Sequence, residues 1–268
     1  MTDMPLRLAV QENLVPGGSL QGQWDILRGI GYDGIELRGS AGMRERLPEL
    51  CAARDAGVVF SSICVISDRF IGDFDAGRRA EALSAMMELC DVAAEVGARG
   101  VVTPAAYGLH SNRLPPFTAP RTPEDDREIL LEMLGQLGRH AQERGVLVLF
   151  EPLNRYEDHM VNTLAQGAEL CRATGLPSVR LMADLFHMNI EEADLAAALR
   201  ESGAMVAHVH LADSSRLEPG TGHTDFAAAF RALADSGFDG WGAIECRLSR
   251  EPDAALRNAY KALRPAMG

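Results

Sequence analysis

The chain has 268 residues, 47% of them hydrophobic and 24% charged, with a net charge of −12. That much apolar content excludes a disordered chain, and five scattered cysteines without a CxxC pair exclude a disulfide scaffold or a thiolate zinc site. The acidic balance disfavours a nucleic-acid partner, no apolar run approaches the ~20 residues that span a bilayer, and MTDMPLRLAV lacks the flanks of a signal peptide, so the expected location is the cytoplasm.

In chain order, short apolar or β-branched runs predict strands at 7–11, 34–38, 58–65, 100–104, 146–152, 179–185, 206–212 and 241–246. Amphipathic stretches between them predict helices, among them 80–96, 123–144, 164–174, 193–202 and 226–236. Glycines recur just ahead of the strands (Gly31, Gly34, Gly57, Gly97, Gly100, Gly145, Gly175, Gly203, Gly237, Gly240), as expected where helices stop and αβ loops begin. Eight such units in this length predict an α/β fold, a (β/α)8 TIM barrel, as a single domain over 1–268. A doubly wound open sheet is the competitor, but no GxGxxG follows the first strand. The long irregular segment is 105–121, rich in proline and glycine and placed to cover one side of a site.

Active sites of such barrels lie at the C-terminal ends of the strands. The last four predicted strands end in polar residues: VLVLFE at Glu151, VRLMAD at Asp184, VAHVH at His210 and WGAIE at Glu245. Any one of these carboxylates is more often a helix cap or a solvated loop residue, and Asp184 best fits a cap. Four on successive strands point to a shared cation, because three carboxylates and an imidazole on one rim otherwise repel. The oxygen-rich set suits Mn²⁺, Mg²⁺ or Co²⁺, with Zn²⁺ also accommodated. Such a metal acidifies a C–H beside a carbonyl, and Glu151 and Glu245, from strands separated by two others, are placed to remove and return the proton from opposite faces. His208 shares the face of His210 one layer deeper and is expected to be a hydrogen-bonded support for it.

With FEPLNRYE at the fifth strand, ADLFHM at the sixth, HVHLADSSR at the seventh and AIECR at the eighth, the chain resembles the xylose-isomerase-like sugar isomerase and epimerase superfamily. Within it, the chain is most similar to the D-tagatose 3-epimerase type of ketose 3-epimerases. The resemblance implies a divalent-metal-dependent isomerase, with Mn²⁺ the leading metal, that epimerises a free ketose at C3 through an enediolate. It implies Glu151, Asp184, His210 and Glu245 as metal ligands, Glu151 and Glu245 as the proton-transfer pair, and Glu157, His187 and Arg216 as substrate-binding residues. It also implies a sugar or hydroxy-carbonyl substrate and association into homodimers or homotetramers. LADSSR and PGTGHTDF after the seventh strand depart from the family pattern and add His223.

Alternatives within the same chemistry are a keto-polyol (inosose-type) dehydratase, with His223 or His187 as the acid, and a hydroxypyruvate-type isomerase. An apurinic endonuclease-like phosphodiesterase is a further class, opposed by the acidic charge and by a third strand without histidine. Of the remaining polar residues, Glu36 either faces the substrate or pairs with Arg38 or a backbone amide. Tyr107 and His110 are candidates for a lid, and His159 for a substrate contact ranked below Glu157. Trp24, Met86, Met87 and Met133 read as packing.

Overall fold

The computed structural model describes residues 6–108 and 119–267. Eight parallel strands close into a barrel in sequence order: β1 (Arg7–Gln11), β2 (Gly34–Gly39), β3 (Phe60–Val65), β4 (Gly100–Pro104), β5 (Leu147–Glu151), β6 (Val179–Asp184), β7 (Val206–Leu211) and β8 (Trp241–Ile244). The helices outside it are α1 (Leu20–Ile30), α2 (Leu47–Asp55), α3 (Ala76–Val96), α4 (Pro123–Arg144), α5 (Leu164–Ala173), α6 (Leu185–Glu191), α7 (Leu195–Ser202), α8 (Phe226–Asp235) and α9 (Pro252–Leu263). Among the described residues no helix is long and apolar enough to cross a membrane.

Every expected strand is present, with ends shifted by at most two residues, so Glu245 lies just past β8. The predicted helix 193–202 proves to be the second of two, because Glu192 turns extended and Asp194 caps a fresh start. Local chemistry starts the helices. Thr122 and Thr163 form reciprocal capping boxes with Asp125 and Gln166, and Asp75, Asp194 and Asp225 each accept a first-turn N–H.

The glycines ahead of the strands do two different jobs. Gly97 and Gly145 stop α3 and α4 in the left-handed conformation, as expected. Gly240 has no such backbone; a Cβ there would meet the Ala207 carbonyl oxygen at 2.3 Å, so close packing requires it.

Strand alternation divides the core. Leu8, Val10, Ile35, Leu37, Ile63, Val148, Phe150, Leu181 and Ile244 join the helices in the main apolar cluster, whereas Cys64, Val102, Leu149 and Met182 pack with one another in a separate one inside the barrel. Following that inward face toward the C-terminal ends leads to Gln11, Glu36, Ser62, Glu151, Asp184, His208, His210 and, past β8, Glu245. Apolar layers thus form the barrel's interior and polar layers its upper end.

Candidate active site

The structure brings Glu151, Asp184, His210 and Glu245 together, with one ligand atom from each within 4.8 Å of the others. All four lie deep in the barrel mouth: Glu151, Asp184 and His210 are buried, and the Glu245 side chain is 21% exposed. Nδ1 of His210 is 3.1 Å from Oε2 of Glu245 and 3.8 Å from Oε1 of Glu151.

Asp184 satisfies both readings of its position. Its Oδ1 caps α6 by accepting from the N–H groups of Phe186 (2.7 Å) and His187 (3.3 Å). Its Oδ2 is buried without any hydrogen-bond partner among the described residues. A capped carboxylate that turns one bare oxygen into a cluster of carboxylates costs free energy unless a cation meets that oxygen.

The electrostatics agree. Burial pushes Glu151 well above the ordinary carboxylate range; His210 opposes this, while Glu245 and Asp184 add to it. Burial also works against ionised Glu245, but His210 and Arg216 outweigh it and hold that carboxyl at about 2. Two neighbouring glutamates are therefore driven apart, and the repulsion is relieved by a proton on Glu151 or by a further positive charge. The bare Oδ2, the oxygen-rich donors and this unrelieved repulsion fit a divalent cation held by the four residues.

Above the cluster stand the three residues expected to bind substrate. His187 is 1% exposed, and its Nδ1 accepts from the backbone N–H (3.2 Å) and side-chain amide (2.7 Å) of Asn154. Its Nε2 lies 3.2 Å from the Arg216 guanidinium and farther from Asp184 (3.6 Å), Glu151 (3.9 Å) and Glu157 (3.9 Å). Burial lowers the His187 pKa, which favours the neutral ring. Arg216 lies 3.4 Å from Glu157 and 3.6 Å from Glu245, with its guanidinium 4.8 Å from the Phe186 ring centroid. Although burial works against its charge, Asp184 and the glutamates around it raise the Arg216 pKa.

The loops that carry these groups are built by buried side chains that the sequence reading did not single out. After β5, Asn154 accepts from the Tyr156 N–H through Oδ1, and Asp158 accepts from the N–H groups of His159 and Met160, which presents Glu157 to the site. After β7, Asp213 accepts four backbone N–H bonds, from Ser214 (2.8 Å), Gly220 (2.8 Å), Thr221 (3.0 Å) and Thr224 (3.1 Å). Gly222 lets the loop close on it, since a Cβ there would meet Asp213 Oδ1 at 2.5 Å. Arg216 is the one non-glycine residue with positive φ (56°) among the described residues, a strained conformation pinned by Asp213 on one side and Arg247 on the other. The LADSSR and PGTGHTDF segments are therefore one structure, folded around Asp213. Asx-type accounting of a buried aspartate in a glycine-rich loop is the signal that would have found it.

Other expectations sort differently. His208 is fully buried and hydrogen-bonded to Glu36, as a support. Among the described residues Glu36 does not pair with Arg38 or a backbone amide; it lies beneath the cluster, 2.9 Å from both His208 and His210. His159 turns away, 3.4 Å from Asp126, into a cavity of about 200 Å³ that shares no lining residue with the site. His223 is exposed and bonded to Ser214 Oγ (2.9 Å). Tyr107 lines the site cavity, about 250 Å³, beside Arg38, Cys64, Ile66, Ser67 and Phe70, whereas His110 lies outside the described residues.

The profile of the family described as "Xylose isomerase-like TIM barrel" matches residues 24–266. The chain belongs to this family. It is 37% identical over 239 residues to 3-dehydro-D-guloside 4-epimerase of Escherichia coli K12, covering 89% of this chain and 91% of that one. It is 32% identical to an L-ribulose 3-epimerase of Mesorhizobium japonicum, over 74% of this chain and 63% of the relative. The apo crystal structure of a 3-keto-D-glucoside 4-epimerase from E. coli superposes with a TM-score of 0.91 at 35% identity, covering 97% of this chain and 99% of that one. With named epimerases this similar over nearly its whole length, the chain is an enzyme, an isomerase of the epimerase type.

Proposed function

We propose that the chain is a divalent-metal-dependent epimerase of a keto sugar that inverts the carbinol carbon beside the carbonyl. The observation that carries this reading is the cluster itself: two glutamates, at the first and last strands of a four-strand arc, share one buried ligand set with Asp184 and His210. Glu151, Asp184, His210 and Glu245 would hold the cation, with Mn²⁺ as the first choice for this donor set. When bound, the metal supplies Lewis acidity that stabilises negative charge on the substrate's oxygens.

The remaining steps belong to the chain. Glu245 Oε2, ionised and facing the cluster, takes the proton from the carbon next to the carbonyl. Glu151, three strands round the arc, returns a proton to the opposite face, which inverts the centre. The Arg216 guanidinium, with the His187 ring beside it, donates to the oxygens that gain charge in the enediolate, and Glu157, held by Arg216, accepts from a sugar hydroxyl.

For the substrate we favour a 3-keto glycoside inverted at C4 over a free ketose inverted at C3. The 4-epimerases are 37% and 35% identical over nearly the entire chain, whereas the ribulose 3-epimerases are 32% identical over 74% of it and 25% identical over 97%. Both carbons are α to the carbonyl, so the machinery is the same and the difference is one of position. Incubation with Mn²⁺ in D₂O decides: deuterium should enter C4 of a 3-keto glycoside with interconversion of the two epimers. Exchange only at C3 of free ketoses would restore the ketose reading, loss of 18 mass units would make the enzyme a dehydratase, and no exchange in either class would reject the proposal.

A further inference from the structure

Glu36 is fully buried in the barrel below the ligand cluster. Its Oε2 accepts from Ser62 Oγ of β3 at 2.6 Å and pairs with His208 Nε2 of β7 at 2.9 Å. Its Oε1 lies 2.9 Å from His210 Nε2 and accepts from the Gln11 side-chain amide of β1 at 3.1 Å. Gln11, itself 4% exposed, divides its two amide hydrogens, one to Glu36 Oε1 and the other to Glu245 Oε1, also at 3.1 Å. One buried carboxylate therefore touches side chains from three other strands and, through a single amide, reaches the residue past β8.

The chemistry of each contact has a consequence for the site above. A carboxylate oxygen at 2.9 Å repels a lone pair, so Nε2 of His210 carries a ring proton, in a charge contact with Glu36 that is not aligned as a hydrogen bond. The other nitrogen, Nδ1, which faces Glu245 Oε2 and Glu151 Oε1, is then the one whose lone pair a cation would take in place of a proton. Gln11 in turn occupies Oε1 of Glu245, which leaves Oε2 facing His210 and Arg216.

We propose that Glu36 and Gln11 are positioning residues: Glu36 selects the nitrogen that His210 offers to a cation, and Gln11 fixes which oxygen of Glu245 stays available to the cation and the substrate. The kinetic half of this inference rests on the epimerase reading above; the metal-binding half needs no substrate. Carboxylate support of a ligating histidine is commonly associated with a 10–100-fold effect on metal affinity.

The test uses the full-length chain stripped of metal and titrated calorimetrically with Mn²⁺, with circular dichroism to check folding. Glu36→Gln, which puts an amide where two acceptors are needed, should weaken Mn²⁺ binding by about 10–100-fold, and Gln11→Met, which keeps bulk but loses both donors, by about tenfold. With a keto-sugar substrate, Gln11→Met should also lower kcat at least about tenfold while KM moves less than about threefold, a split that a general loss of structure would not give. Folded variants that bind Mn²⁺ within about twofold of the parent would overturn the proposal, as would a Gln11→Met enzyme whose KM rises in step with any fall in kcat. If Glu36→Gln does not fold, Gln11→Met alone decides. If no keto sugar reacts, the epimerase reading fails and the Mn²⁺ titrations still judge both residues.

Discussion

The two halves of the barrel carry different kinds of polar residue. From β5 to β8 each strand ends in a side chain that faces the cluster: Glu151, Asp184, His210 and, one residue late, Glu245. From β1 to β4 the inward polar residues Gln11, Glu36 and Ser62 face those ligands from below, and Arg38, Cys64 and Tyr107 form a wall beside them. The difference shows how one fold separates duties. On the proposed reading, reaction groups sit where strands stop and the backbone frees them for a ligand, while the groups proposed to fix their orientation are held within the strands opposite.

The largest effects should therefore come from the second half. Glu245→Gln and Glu151→Gln each keep the side-chain volume and remove the proton carrier, so kcat should fall by about 10²–10⁴-fold while the far-ultraviolet circular dichroism is unchanged. A loss below tenfold in either variant would break the pairing of the two glutamates. Next in size is removal of the cation. Chelation should abolish activity and, at a metal concentration about 100 times its Kd before chelation, lower Tm by about 5–10 °C, from roughly 2.7 kcal/mol of linkage. An unchanged Tm would mean that the buried carboxylates do not need a cation.

A smaller effect tests the loop that carries Arg216. Asp213→Asn replaces one accepting oxygen by an amide that confronts two backbone N–H donors, at a cost of about 2–4 kcal/mol in stability and about a tenfold rise in KM. The pH dependence has a definite sign. Burial pushes the Asp213 carboxyl up, but the backbone N–H groups outweigh it and hold it below the ordinary range. Its contribution is thus fully present above the unfolded value of about 3.9 and is lost as pH falls through the lower folded value. The Tm gap between parent and variant should be constant above about pH 5 and should close below about pH 4. A gap that widens on acidification would exclude Asp213 as the carboxylate anchor of this loop.

Most of the barrel was legible because its signals are local. Period-two apolar runs, helix caps and glycine stops each need only a few neighbouring residues, and Glu151, Asp184 and His210 stood out as polar residues ending apolar runs. Glu157, His187 and Arg216 entered only through the resemblance, since nothing in NRYE or DSSR states where a loop will fold. Gln11, Glu36 and Asp213 were missed or left open for another reason. Their importance lies in partners 25 to 234 residues away in the first two, and in a nest of backbone N–H groups in the third. Inward parity on the strand was available for Gln11 and Glu36, but parity alone does not distinguish a buried support from a substrate contact.

The smallest predicted effect concerns the first-half wall. Arg38, at the end of β2 and across the ring from β6, lines the cavity, and no carboxylate pairs with its guanidinium among the described residues. From the opposite side of the ring, Arg38 is expected to touch the end of the substrate remote from the reacting carbon, with the same contacts before and during proton transfer. Such uniform binding sets KM and leaves kcat alone. Arg38→Met should accordingly raise KM by about 2–10-fold, the loss of roughly 0.5–1.5 kcal/mol of hydrogen bonding, with kcat within about twofold. Should kcat fall instead by tenfold or more, the wall would belong to the reaction machinery, and the division between the two halves of the barrel would have to be redrawn through β2.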